Sequence, residues 1–221
     1  MTQPVPAANG RVDVYFDVIC PWCYIGHRRV RTALAAMPDD RRPLVVWRAF
    51  ELGPDLGRVP GTTAAEQMAA ESWWGPDATA RIAHIRGVGA AEGLRLNLHL
   101  ARPVNSFDAH RLVKLAAARG RVDHVLEAVM RGYHTDGLNI ADHAVLERIG
   151  AASGLDRDDI RAMLNGDTFA VDVRADERLA QRMGVVSVPS LVVGGRPPVS
   201  GVLAADALRR ILSTATSVSA P

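Results

Sequence analysis

Apolar and polar positions change period several times along this chain. Val12, Val14, Phe16 and Val18 fall at every second position, the spacing of a half-buried strand. From Ile25 through Val30, Ala33, Leu34 and Met37 the spacing becomes helical, and Pro38-Asp39-Asp40 breaks it. Leu44 to Phe50 returns to strand character. A strand, a helix and a strand in that order pack as a right-handed βαβ unit with parallel strands. Gly53 to Gly61, with Pro54 and Pro60, reads as a loop.

The middle of the chain is helical throughout. Its spacing predicts helices over 64–73, 77–92, 107–119, 122–135, 143–153, 157–164 and 168–183. Ser106, Asp142, Asp156 and Asp167 mark starts, while Gly120, Gly137, Gly154 and Gly184 mark stops. Nearly all of the apolar stripes here read as core. Trp73-Trp74 is set apart because adjacent tryptophans cannot share one helix face, so one is a candidate lid, against the plainer reading of packing. Val185 to Val193 is strand-like again, Gly194-Gly195-Arg196 is a turn, and Pro197 to Gly201 reads as an antiparallel edge strand, where proline is tolerated. A last helix is predicted over 204–212, with a frayed end beyond it.

Composition narrows the picture. The chain has 221 residues, 48% of them hydrophobic, which is ample for a core, and a net charge of +2, which suggests neither a nucleic-acid nor a membrane partner. Lys114 is the sole lysine among many arginines, a composition bias rather than a binding signal. Met1 to Gly10 lacks the basic start and apolar core of a secretory leader. With no apolar run of membrane-spanning length, the protein is expected to be cytoplasmic.

The candidate chemistry sits where the first strand meets the first helix. Both cysteines of the chain lie there, in Cys20-Pro21-Trp22-Cys23. A helix N-terminus offers unpaired N–H groups and a positive dipole end to a thiolate, and Pro21 suits the first helical position. Cys23 then lies about one turn on, within reach of a disulfide with Cys20. The pattern gives an exposed, activated nucleophile, Cys20, and a resolving thiol, Cys23. A structural zinc would ask for a second cluster of ligands, and there is no other CxxC and no tight histidine pair beside this one. No metal is expected. In a reducing compartment a lone CxxC is more often catalytic than a staple.

A βαβ unit with CxxC at its helix start, followed by a ββα unit opened by Val188-Pro189, resembles the thioredoxin fold, and a helical block between the halves resembles the DsbA family. The run Asp17-x-x-Cys20-Pro21-Trp22-Cys23-Tyr24-Ile25-Gly26 is similar to the FrnE-like cytosolic branch. So are Trp47-x-x-Phe50-Glu51-Leu52-x-Pro54, Asn105-Ser106-x-x-Ala109-His110-Arg111-Leu112 and Gly184-Val185-x-Ser187-Val188-Pro189-Ser190. The likeness implies an α/β chain with a discontinuous thioredoxin-like domain, residues 11–50 and 185–212, and an all-helical insertion over 51–184. It implies a cis Val188-Pro189 peptide beside the cysteines, with the Val188 backbone open to pair with substrate. Pro21 and Trp22 complete the expected substrate contacts, with Tyr24 at the rim or packed behind it.

Relatives of this fold place a buried acid six positions before the nucleophile, where this chain has Val14. Asp17, three before Cys20, is instead the candidate relay for the proton that Cys23 must lose, or a cap for the turn. Asn105, Asp108 and His110 are expected near the site. His27 reads as a surface or satisfied histidine, and His134 and His143 have no evident partner.

The implied activity is thiol–disulfide exchange by the cysteine pair itself, without a cofactor, with glutathione a candidate co-substrate. Thiol or disulfide substrates are expected, protein or small-molecule, acted on by a monomer or homodimer. A second reading is a glutathione-dependent isomerase or transferase of the chromene-carboxylate isomerase or kappa-class type, where the residue at the Cys20 position activates glutathione and no second cysteine is needed. A third is a chaperone-like binder with an apolar groove. Pro21-Trp22 places no histidine between the cysteines to help hold a thiolate, so Cys20 is expected to be a less extreme nucleophile than in the strongly oxidising periplasmic enzymes, whose potential of about −120 mV reflects a stabilised reduced form. Titration against a glutathione redox buffer checks this, and a potential as high as about −120 mV contradicts it.

Overall fold

A computed structural model describes residues 10–70 and 77–217; Trp73-Trp74 lies outside the described residues. Strands β1 (Arg11–Phe16), β2 (Leu44–Ala49), β3 (Ser190–Val193) and β4 (Val199–Ser200) form one sheet in the order β2-β1-β3-β4. Helix α1 (Pro21–Ala35) joins β1 to β2, which run parallel with Val14 opposite Trp47. β3 runs antiparallel to β1, and β4 antiparallel to β3. This is the thioredoxin-like arrangement, with a helical block between β2 and β3.

Both late strands are shorter than their apolar pattern suggests. The Ser190 hydroxyl donates to the Ser187 carbonyl at 2.6 Å, so residues before Ser190 are held in a turn rather than in the ladder. Pro197 and Pro198 have no N–H to give to a ladder, which leaves only Val199–Ser200 paired.

The block contains α2 (Ala64–Ala70), α3 (Ala78–Ala91), α4 (Phe107–Ala118), α5 (Val122–His134), α6 (His143–Ala152), α7 (Arg157–Asn165) and α8 (Ala170–Arg182). Their starts have identifiable causes. Thr63 and Glu66 form a reciprocal capping box at α2, with Glu66 Oε2 accepting from Thr63 N at 2.7 Å and Thr63 Oγ1 accepting from Glu66 N at 3.2 Å. Asp142 and Asp156 accept from the first-turn N–H groups of α6 and α7. At α4 the expected cap is displaced by one residue: Asn105 Oδ1 accepts from Phe107 N at 3.0 Å, and Ser106 makes no cap. The last helix, α9 (Ala205–Ser217), runs past the predicted end at 212 because Ala215 continues the buried stripe of Leu208 and Leu212. Among the described residues, no helix is long and apolar enough to cross a membrane.

α4 is the centre of the block, with Leu112 and Ala116 fully buried against a core that includes Leu126 and Met130 of α5. Each such large side chain removed from water contributes about 2 kcal/mol. One buried carboxylate ties the block to the sheet. Asp176 of α8 accepts from Ala49 N at 2.9 Å and from Arg48 at 2.6 Å, and also from Lys114 of α4. Arg48 in turn reaches Asp13 of β1 at 2.7 Å. Asp176→Ala strands an N–H and two cations, so it is expected to lower stability by about 3 kcal/mol or more in urea unfolding. A loss under about 1 kcal/mol would contradict that role.

Candidate active site

The local sequence folds the two cysteines into unlike surroundings on one helical turn. Cys20 is the N-cap of α1, with φ −85° and ψ 116°, and Pro21 is the first helical residue. Cys20 N donates to Asp17 O at 3.2 Å, closing the turn after β1, and Cys23 N donates to Cys20 O at 3.0 Å. Both thiols are free.

Cys20 is not exposed on the outer surface, as its sequence position suggests. It is 5% accessible and lies in the wall of a cavity of about 370 Å³. Cys23 lies behind it, 1% accessible. Burial pushes the Cys23 thiol well above its ordinary range, and its hydrogen bond and electrostatic coupling to Cys20 push it the same way. At neutral pH Cys23 therefore keeps its proton and donates it toward Cys20.

The other half of the chain closes over the pair. The Val188-Pro189 peptide is cis, and the Val188 carbonyl lies 3.8 Å from Cys20 Sγ. Pro189 packs on α1 at Gly26, where an added Cβ would sit 3.2 Å from the proline ring. Glycine at that position lets helix and loop approach.

Besides residues at the start of α1, the cavity is lined by Leu52 and Leu56 of the loop after β2, Met68 and Gln67 of α2, and Tyr133 and His134 at the end of α5. Leu98 and Ala101, from the segment before α4, line it further, and among the described residues no lysine or arginine does. Trp22 stands in its wall and packs on His84 of α3, ring centres 5.7 Å apart. Tyr24 is not at the rim. It is buried, stacks on His134 and donates to Glu127 at 2.8 Å.

Asp17 is fully buried beside the cysteines. Its Oδ2 accepts from Leu52 N at 2.7 Å, and its Oδ1 lies 3.3 Å from His110 Nε2 and 3.4 Å from Ile19 N. Of the three residues expected near the site on α4 and its approach, His110 reaches it through Asp17. Asn105 serves the loop, donating to Pro54 O at 3.0 Å, and Asp108 pairs with Arg111 and His143, which supplies the partner that His143 lacked in the sequence.

Other groups became visible only in three dimensions. Glu51 is buried, and its carboxyl is pushed up to about 7 by burial and by a hydrogen bond with Glu177, despite Arg174 at 2.5 Å. His27 is not on the surface: it is completely buried, with Nδ1 3.4 Å from Glu127 Oε2, an ion-pair distance rather than an aligned hydrogen bond. Burial alone would raise Glu127, but the His27 ring, Tyr24 and Arg28 outweigh it and hold the carboxyl at about 2. His134, also completely buried, donates from Nε2 to Val18 O at 3.0 Å and is pushed down to about 4 by burial. Tyr133 shares the cavity wall, its hydroxyl raised by burial and by the nearby charges of Asp17 and Cys20. Among the described residues, no group of three or more His, Cys, Asp or Glu side chains can hold a metal.

The DSBA-like thioredoxin domain family matches residues 11–213, so the chain belongs to that family. Among solved structures, it is similar to a protein described as a probable DsbA oxidoreductase from Streptomyces coelicolor, with 33% identity over 96% of this chain and 92% of that one and a TM-score of 0.87. The cytosolic disulfide reductase DsbM from Pseudomonas aeruginosa, solved with GSH, shares 19% identity over 92% and 98% of the two chains, with a TM-score of 0.61. A 2-hydroxychromene-2-carboxylate isomerase shares 14% identity over 92% and 93%, with a TM-score of 0.65. The last two likenesses show the fold alone. A search of curated proteins finds no match.

The lowered value of His134 has a signed consequence. Between about pH 6.5 and pH 4 the unfolded chain binds a proton there and the folded chain does not, so stability falls as pH drops through that window, by about 3 kcal/mol in full. Glu51, raised to about 7, has the opposite slope between its ordinary 4.5 and that value, losing stability as pH rises. The diagnostic is therefore the difference between His134→Gln and the unaltered protein in urea titrations across this range. The variant is expected to lose less stability on acidification, and parallel curves would contradict the assignment.

Proposed function

We propose that this DSBA-like chain is a thiol–disulfide oxidoreductase in which Cys20 attacks and Cys23 resolves. The observation that carries the reading is the unlike placement of the two sulfurs: one in a cavity wall at a helix start, the other sealed behind it and donating a hydrogen bond to it. Cys20, as the thiolate, attacks a substrate disulfide and expels one thiolate. Cys23 then attacks the mixed disulfide at Cys20 Sγ and expels the second. Run in reverse, the Cys20–Cys23 disulfide oxidises a dithiol.

Asp17 is the proposed acceptor of the Cys23 proton. The Asp17 N–H faces the Cys23 sulfur, and the carboxylate lies near enough to add to the cost of a charged thiolate there. Capping Ile19 and Leu52 and taking a proton are compatible roles for one carboxylate with two oxygens. The Val188 backbone, Pro189, Pro21 and Trp22 frame the approach to Cys20 and are the proposed substrate contacts. The cavity lining favours an apolar group beside the reacting sulfur. Glutathione remains a candidate co-substrate, though among the described residues of that lining its carboxylates meet no lysine or arginine. A FrnE-like role in a reducing cytoplasm fits a lone CxxC pair, and the DsbM likeness is compatible with it.

The second reading, a glutathione-dependent isomerase, draws on the same cavity beside Cys20 and on the fold shared with the chromene-carboxylate isomerase. Cys23→Ser separates the two. Under the redox reading, multiple turnover of a dithiol-coupled disulfide reduction falls at least about 100-fold, and a mixed disulfide on Cys20 accumulates in mass spectra. Undiminished turnover by Cys23→Ser, or by Cys20→Ala, contradicts it.

A further inference from the structure

We propose that His110 is a positioning residue for resolution: its Nε2–H holds the Asp17 carboxylate in place to accept the Cys23 proton. The inference rests on the reading of Asp17 given above and deepens it.

His110 comes from α4, in the helical block, and its ring is 1% accessible. Its packing neighbour is Phe16, with ring centres 5.0 Å apart. Its Nδ1 has no hydrogen-bond partner, and a buried polar atom left unpaired costs about 1–3 kcal/mol. Packing on Phe16 would be served as well by an apolar side chain. The polar contact the ring does make is with Asp17 Oδ1, at 3.3 Å.

Asp17 has need of such a contact. It is out of reach of water, and the titratable groups facing the pair from the surrounding elements are Cys20 and Cys23 of α1, Glu51 after β2, and Tyr133 and His134 of α5. None of these supplies a lasting positive charge. Arg174, the cation paired with Glu51, is engaged there at 2.5 Å and by Glu177 at 2.8 Å. The carboxylate is held by Leu52 N–H at 2.7 Å on one oxygen, by His110 Nε2 at 3.3 Å on the other, and by Ile19 N–H at the longer 3.4 Å.

The step balances within the site. In the mixed disulfide, Cys20 Sγ is bonded to the substrate sulfur. Cys23 Sγ attacks Cys20 Sγ, and its proton passes to Asp17. The Cys20–substrate bond breaks, and its electron pair leaves on the substrate sulfur as a thiolate, which takes a proton back from Asp17 or from water. The cysteine pair is oxidised by two electrons and the substrate disulfide is reduced by two.

Reduced protein mixed with the aromatic disulfide 5,5′-dithiobis(2-nitrobenzoate) reads the two steps apart. Attack by Cys20 releases one coloured thionitrobenzoate anion, and resolution by Cys23 releases the second. In His110→Leu the first phase is expected to stay within about twofold of the unaltered protein, while the second slows at least about tenfold at neutral pH. Its acid limb moves to higher pH, because a buried carboxylate that loses a donor holds its proton more tightly. His110→Gln keeps a side-chain N–H donor, and its second phase is expected to stay within about threefold. Resolution at the normal rate in His110→Leu overturns the proposal, as does an unmoved acid limb, or a His110→Gln no faster than His110→Leu. If the unaltered protein releases no second anion, the redox reading falls with it; if it does, a failure belongs to His110 alone.

Discussion

Two sulfurs on the first turn of one helix meet different surroundings, and most of the structure serves to keep them different. Cys20 caps the start of α1 and opens on a cavity; Cys23, one turn further, is covered from all sides. The cost of charging the inner sulfur is what makes the pair ordered in its chemistry. Burial and the neighbouring sulfur raise the Cys23 thiol together, so its proton remains as a hydrogen bond toward Cys20 until something removes it.

The sheet and the helical block share this task. β1, with the helix that follows it, presents the cysteines, and the residues leading to β3 place the Val188 carbonyl at 3.8 Å from the outer sulfur. The block supplies what lies beneath and around: Met68 and Leu98 on the cavity wall, Tyr133 and His134 at its inner end, His110 on Asp17. Asp176 and Glu127 fasten the block to β2 and to α1 through groups at both ends of the contact. A site made between two layers depends on such fastenings, since a shift of either layer would open Cys23 to water.

Much of this was legible in the sequence. Period-two and helical spacing located every described helix of the block to within a few residues, because α4 and α5 bury continuous stripes that leave a regular mark. The strand before Pro189 was overread because Val185 to Val188 looks like a ladder segment, whereas the Ser190–Ser187 hydrogen bond turns it. The end of α9 was underread because Ala215 is too small to show as core. Cys20 and Cys23 stand out by local spacing and Asp17 by the family resemblance, and the structure brings the three together. Glu51, Tyr133 and the buried states of His27 and His134 were not legible, since each depends on partners far away in the chain, such as Glu127 for His27 and Val18 for His134.

The central claim is that the two thiols differ in access, and that the inner one is costly to ionise, before any substrate arrives. Timed alkylation of the reduced, folded protein with iodoacetamide at neutral pH, read by peptide mass spectrometry, tests it directly. The account predicts that Cys20 is modified first and that Cys23 stays protected until the chain is unfolded. Equal rates at the two sulfurs, or earlier modification of Cys23, would contradict it.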